Sequence, residues 1–456
     1  MTPDLDLLVR GGSVVTPDGI VQSDVMVAEG RIERVGASGN ERAKETIDAS
    51  GLFVMAGFID SHVHFNEPGR AEWEGIATGS SALAAGGGTL FFDMPLNSLP
   101  PVTSAAAAAL KLGAARRLSR TDFGVWGGLV PGNTGEFEGM RDAGVVGLKA
   151  FMCASGVEEY PQSDAATLRE GMARAAQLGM IVAVHAEDEA LARRLALEAR
   201  TKGTGAASWL RSRPVELETT AIRTAADIAG ETGCSLHIVH ASCPESVNAA
   251  REAKARGVDI TVETCPHYLL LSEGDALRLG APAKCAPPLR PEALRQGLWS
   301  ALEAGHVDTV GSDHSPAPPA MKTSADFFEV WGGISGCQHG FGLLLSEAVA
   351  RHGAQSALMR LTGLLSANVA RRFGIDGAKG RIAAGLDADL VLLAADRPHA
   401  LSNADLLYRH RQGPYDGRAS TVDVVRTVVR GRTVWDKGRI APGAPHGHLV
   451  RPARRR

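Results

Sequence analysis

Two histidines separated by a single residue, His62 and His64, sit in the polar stretch "DSHVHFNEPGRAEWEG" (60–75), just after the apolar run "GLFVMAGFI". Four more residues able to ligate a metal or move a proton stand at or near the ends of other apolar runs. These are Lys149 in "GLKAF", His185 in "VAVHAE", His240 in "HIVHAS" and Asp313 in "VGSDHSP". A histidine closing one apolar run is more often a structural residue hydrogen-bonded at a strand edge. Four histidines, a lysine and an aspartate at the same end of five runs point instead to one shared site. Imidazoles and carboxylates that converge and leave a coordination position open make a hydrolytic metal site. Six ligands exceed what one tetrahedral ion takes, so two ions are the more economical count. A free ammonium repels dications and has no lone pair to offer. Lys149, in the apolar "VVGLKAFM", therefore fits only if CO2 carbamylates it to N6-carboxylysine, a carboxylate that bridges the ions.

Such convergence needs a scaffold. Eight short apolar runs occur at 57–64, 88–95, 122–129, 145–152, 180–187, 235–242, 259–265 and 307–314. Between them lie Ala-rich stretches with helical spacing and a glycine stop, such as "DAATLREGMARAAQLG" and "CPESVNAAREAKARG". Eight strand–helix alternations predict a (β/α)8 barrel, whose site lies at the C-terminal ends of its strands. A doubly wound open sheet is the alternative, but no phosphate-binding glycine loop follows the first strand. Residues two apart on a strand face the same way, so His62 and His64 both reach the barrel axis. His237 has the opposite parity to His240 and points away. His314 has the wrong parity as well, leaving supporting or surface roles open, and His267 follows the seventh strand.

The first fifty residues and the segment after Gly380 share another style, short glycine-bounded β-rich runs that read as hairpins. Both ends together predict one small β-sandwich. The expected division is 1–54 and 379–456 in the sandwich, the last with a tail, and 55–378 in the barrel.

With 44% hydrophobic and 22% charged residues, the 456-residue chain has ordinary globular composition. A net charge of −3 argues against nucleic acid or an anionic membrane as partner. No apolar run approaches the roughly 20 residues of a membrane span, and "MTPDLDLLVRGG" lacks a signal-peptide pattern. A cytoplasmic location is expected. The six cysteines are scattered without a C-x-x-C pair, which excludes a zinc ribbon or thioredoxin-like motif. The tail "RPARRR" reads as a frayed end or a basic contact patch.

The "HVH" pair, the single lysine, the two later histidines and the late aspartate resemble the cyclic amidohydrolases: hydantoinases, dihydroorotases and allantoinases. Within that family "HFNEPGRAEWEG", "DMPLNSLPP", "KCAPPLR", "SDHSPAPPAMK" and "VWGGISG" resemble the allantoinase group, and "KGRIAAGLDADLVLL" resembles the return into its small β-domain. The likeness runs from about residue 5 to about residue 440. It implies that His62, His64 and Asp313 hold one metal, that His185 and His240 hold the second, and that carbamylated Lys149 bridges them. Zinc is the implied metal, with cobalt, manganese or iron as alternatives, and bicarbonate supplies the carbamate.

The resemblance further implies hydrolysis of allantoin to allantoate by a hydroxide shared between the ions, with Asp313 as general base, in a homotetramer. Substrate contacts are implied at Asn97, Ala286, Gly332 and Gly333. Asn97 is placed either to bond substrate or to cap a turn, and Arg70 either to brace the polar turn or to touch a ureido group. Three departures separate the neighbouring groups. Asn66 stands where dihydroorotases carry a substrate-binding arginine. The first tyrosine after Lys149 is Tyr160, later than in hydantoinases. Ala286 replaces the serine common before the double proline, which keeps a hydantoinase or dihydropyrimidinase of relaxed specificity as the alternative. A non-catalytic scaffold of the same fold is disfavoured because all six ligand positions are filled.

Overall fold

Residues 5–453 are described in the computed structural model. The eight apolar runs all form strands: Phe58–Val63, Gly88–Asp93, Asp122–Val125 continued by Gly127–Gly128, Leu148–Phe151, Val182–His185, Leu236–Ile238, Ile260–Thr264 and Thr309–Val310. Neighbours pair in parallel. The ring closes where His64 donates its N–H to the carbonyl of His314 at 2.8 Å, beside a Val63–His314 bridge. The third strand breaks at Trp126, whose indole Nε1 donates to the Ser61 carbonyl at 3.0 Å. Every residue of Phe58–Val63 and Gly88–Asp93 is buried, because helices cover one face of a parallel sheet and packed side chains the other. The helices have local stop and start signals. Ser104, Asp164 and Asp188 cap the N-termini of Ala105–Leu118, Ala165–Gln177 and Glu189–Arg200 through their side chains. Left-handed Gly144 and Gly233 end Phe137–Ala143 and Val215–Thr232. The barrel expectation is met.

Both chain ends build one nine-stranded sheet, which includes Leu5–Thr16, Gly19–Ala28, Ala43–Asp48 and Phe53–Ala56 from the first part and Leu390–Ala394, Asp423–Val429 and Arg432–Asp436 from the second. Leu5–Thr16 serves two layers. Its first half pairs with Ala43–Asp48 and its second with Phe53–Ala56, with a register shift between Val9 and Gly12. A Cβ on Gly12 would lie 2.6 Å from a Val54 methyl, so only glycine lets the bent strand approach. Phe53–Ala56 then pairs antiparallel with Leu390–Ala394, joining the two ends. Val9, Val14, Val25, Val54, Leu390 and Val428 belong to the core between the layers. This is the sandwich that the β-rich ends imply.

Two features bind sandwich and barrel. Lys379 places its Nζ 2.5 Å from Asp122 at the start of the third barrel strand, and 2.8 and 2.6 Å from Asp387 and Asp389. Beyond the last sheet strand, Val450 donates to the Phe123 carbonyl at 2.8 Å and Ala453 to that of Gly374 at 2.8 Å. Arg451 reaches the Asp142 carbonyl. The rest of the basic tail, Arg454 to Arg456, lies outside the described residues. Among the described residues no helix is long and apolar enough to cross a membrane.

Candidate metal centre

At the C-terminal rim of the barrel, His62, His64 and Asp313 bring their ligand atoms together. Asp313 Oδ1 lies 3.2 Å from His62 Nε2 and 3.5 Å from His64 Nε2. The His240 ring centroid is 5.5 Å from that of His62 and 4.6 Å from that of His185. Lys149 is fully buried, its Nζ 4.3 Å from the centre of the Phe151 ring and without a hydrogen-bond partner. Phe151 in turn stacks on His185 at 4.6 Å. All six predicted ligands are thus gathered in one place. His240 and Asp313 lie just past their strands with φ of +45° each, a strained conformation for residues with side chains.

Carboxylates behind the histidines decide which ring nitrogen faces inward. His62 Nδ1 is 2.9 Å from Glu263 Oε1, and His185 Nε2 is 2.8 Å from Glu187 Oε2. A carboxylate only accepts, so those nitrogens carry protons, and in the neutral tautomer the opposite ones present lone pairs. In its neutral form His62 faces the Asp313 oxygen with a bare Nε2 at 3.2 Å, an arrangement suited to a cation. Paired outer carboxylates of this kind orient metal-binding histidines. Glu263 also takes Ser61 Oγ at 2.5 Å, and Glu187 takes Arg213 at 2.5 Å. Cys153 lies near His185 and Glu187, but burial pushes its thiol up and keeps it protonated, and Glu187 Oε2 already takes both His185 and Arg213, leaving Oε1 alone without a partner. The imidazole–carboxylate reading of the site is therefore the stronger one.

The electrostatics follow from burial and these neighbours. Burial raises the Asp313 carboxyl, but His62 and His64 outweigh it and hold it at about 2. Glu187 is likewise at about 2, burial being overcome by Arg213 and His185. Burial lowers His64 to about 4 and takes His240 well below the ordinary imidazole range. Lys149 falls to about 7, burial outweighing the attraction of Asp313 and Glu263. Neutral imidazoles, an ionised aspartate and a partly neutral amine are the protonation states that metal binding and carbamylation need.

An open cavity of about 90 Å³ lies over this cluster, smaller than a drug-sized pocket. Asn97, Ala286, Gly332, Ser315, Trp331 and Arg213 are among the residues that line it. Gly333 stands behind, where a Cβ would be 2.3 Å from the Ser315 carbonyl oxygen. Asn97 has φ +67° and an amide 3.5 Å from His64 Nδ1, with its Oδ1 unpartnered. Arg70 braces the polar turn, donating to the Asn97 carbonyl at 3.2 Å and pairing with Glu159 at 3.0 Å. Tyr160 is buried with its hydroxyl on the Lys149 carbonyl at 2.5 Å. His237 turns to Thr261 at 2.8 Å, and His314 accepts from the Gly336 N–H at 3.1 Å. His267 is buried with both ring nitrogens unpartnered. The sequence reading did not single out Glu187, Glu263 or Arg213. Glu187 shares the strand parity of His185 two residues before it, and Glu263 is an acid inside the apolar "DITVETC", so both carried a signal.

The model of the amidohydrolase family matches residues 53–434. Among curated relatives, the allantoinase of Rubrobacter xylanophilus is 51% identical over 98% of each chain. That of Deinococcus radiodurans is 47% identical over 98% of this chain and 99% of its own. Among solved structures, the L-hydantoinase (dihydropyrimidinase) of Arthrobacter aurescens superposes with a TM-score of 0.95 at 33% identity, over 98% of this chain and 99% of that one. A D-hydantoinase from Thermus sp. gives 0.91 at 27%, with 98% and 99% covered. With a family match that takes in the whole barrel and near-complete alignment to these relatives, the chain belongs to the amidohydrolase family and groups within it with the allantoinases.

Proposed function

We propose that the chain opens the ring of allantoin by hydrolysing a cyclic amide, giving allantoate. What carries the reading is the convergence of His62, His64 and Asp313 beside buried Lys149, in a chain about half identical to an allantoinase along its whole length. His62, His64 and Asp313 would hold one divalent ion, His185 and His240 a second, and carbamylated Lys149 both. Zinc is the expected metal, with cobalt, manganese or iron also compatible with these ligands. When bound, such ions supply Lewis acidity, polarising a carbonyl and making water a stronger acid.

The chain's own residues do the rest. Asp313, ionised at any neutral pH, takes the proton from the attacking water and returns it to the departing ring nitrogen. The new C–O bond forms first and the C–N bond then breaks as the ring nitrogen takes that proton, leaving a carboxylate and a ureido NH2. Glu263 and Glu187 keep His62 and His185 in one tautomer throughout. Arg213, the guanidinium on the cavity wall, is neutralised by Glu187, and Asn66 offers no charge. An uncharged ring therefore suits the cavity better than one bearing a carboxylate, which separates allantoin from dihydroorotate.

Purified protein offered allantoin, hydantoin, dihydrouracil and dihydroorotate is expected to turn over allantoin fastest, with about two metal ions per chain. Faster turnover of hydantoin or dihydrouracil would install the relaxed hydantoinase reading that Ala286 allows. A folded protein that stays metal-free with metal and bicarbonate supplied would favour a scaffold. The expected state is a homotetramer in the cytosol; light scattering on the purified protein checks the first and cell fractionation the second.

A further inference from the structure

Phe327 to Gly333 bring Trp331 and Gly332 to the cavity wall, yet this segment forms no helix or strand. Two lysines hold it. Lys284 Nζ donates to the carbonyls of Phe327 at 2.6 Å, Phe328 at 3.3 Å and Val330 at 2.5 Å. Lys322 Nζ donates to those of Trp331 at 2.9 Å, Gly333 at 2.7 Å and Ala281 at 3.1 Å. An ammonium has three N–H donors, so each lysine is saturated by backbone alone. Neither forms an ion pair among the described residues, although Lys284 is only 4% exposed. Withdrawing an ammonium from water without a carboxylate partner is costly, which is more than an ordinary surface loop requires.

The carbonyls chosen matter because peptide groups are planar and trans. The Trp331 C=O, fixed by Lys322, shares its plane with the Gly332 N–H on the opposite edge. The Gly332 C=O shares the next plane with the Gly333 N–H, which donates to the Lys284 carbonyl at 2.8 Å. The Lys322 ammonium therefore sets the direction of the Gly332 N–H and the Lys284 main-chain carbonyl that of the Gly332 C=O, while the Lys284 ammonium holds the carbonyls of Phe327, Phe328 and Val330 just before them. Gly332 itself is exposed to the cavity, and a Cβ there would meet nothing within 4 Å. It borders open space of the kind a ring amide, a matched donor and acceptor, would fill.

We infer that Lys322 and Lys284 are positioning residues that aim the Gly332 backbone at the ring amide of the substrate, an inference that rests on this cavity being the substrate site proposed above. Neither lysine touches a metal ligand, so their loss separates binding from chemistry. Lys322→Met is expected to raise KM for allantoin about tenfold or more while kcat stays within about threefold and metal content is unchanged. Lys284→Met reads the same clamp from its other anchor and shifts KM in the same direction. If Lys322→Met fails to fold, Lys322→Gln, which retains two donors, carries the test with a smaller rise. A kcat/KM within twofold of wild type, a loss carried by kcat at unchanged KM, or loss of metal would overturn the clamp. If the wild-type protein ignores allantoin, the reading above fails, and the clamp is judged on whichever cyclic ureide of the panel it binds. Binding of none overturns both.

Discussion

An amine sealed among histidines and a phenyl ring, as that of Lys149 is, has no hydrogen-bonding role to explain its burial. The proposed carbamylation would give it one, and only the neutral amine reacts with CO2. Its burial-lowered value of about 7, against an ordinary 10.5, means the neutral form dominates above about pH 7 and is lost as pH falls through it. At fixed dissolved CO2, reconstitution of metal-stripped protein is therefore expected to slow about tenfold per pH unit below 7, followed by the return of activity. Lys149→Ala is expected to lose bound metal and activity, with partial rescue by short carboxylic acids. An active, metal-replete Lys149→Ala protein would refute the carbamate. Asp313→Asn should instead lower kcat by about 10²–10⁴ through loss of the proton carrier. Near-normal turnover there would remove Asp313 from that role.

At the scale of elements, much of the site was readable because strand parity controls direction. His62 and His64, two apart, fall where alternation puts them. His237, expected to point away from the axis, instead shares the interior face of Lys149 and Ala183 and lies 3.6 Å from Glu263, because the chain turns left-handed at His240. The limits of that rule show at His240 and Asp313, which lie one or more residues past their strands with left-handed backbones, so parity alone does not aim them. Lys284 and Lys322 were wholly illegible as a pair. They serve a segment with no periodicity, and their partners are carbonyls, which no side-chain pattern reports. The same holds for the junction at Lys379, where one buried cation meets Asp122 of a barrel strand and two aspartates before Leu390–Ala394. The carboxylates raise the Lys379 amine despite its burial. Lys379→Met would remove the cation shared by three aspartates, leaving Arg430 beside Asp122, and is expected to cost about 3–5 kcal/mol in stability, measured by denaturant unfolding. An unchanged midpoint would show that water reaches those carboxylates.

Taken whole, the molecule is a barrel whose two flanking ends recognise each other. That much was legible, since short glycine-bounded β-runs recur at both ends and the barrel runs sit between them. The closing stretch "HGHLVRPA", which ties itself to Phe123 and Gly374, was not, because backbone bonds made by an irregular segment leave no mark in residue type. The pairing of Phe53–Ala56 with Leu390–Ala394 has a consequence during synthesis. The first partner leaves the ribosome roughly 330 residues before the second, a wait of about 20–70 s at usual elongation rates. Throughout that interval a nascent chain displays an apolar strand edge with nothing to pair it, a template for other unfinished chains. A fragment ending at residue 389 is expected to form aggregates that the complete protein does not, and chaperone demand should fall at the moment Leu390–Ala394 emerges.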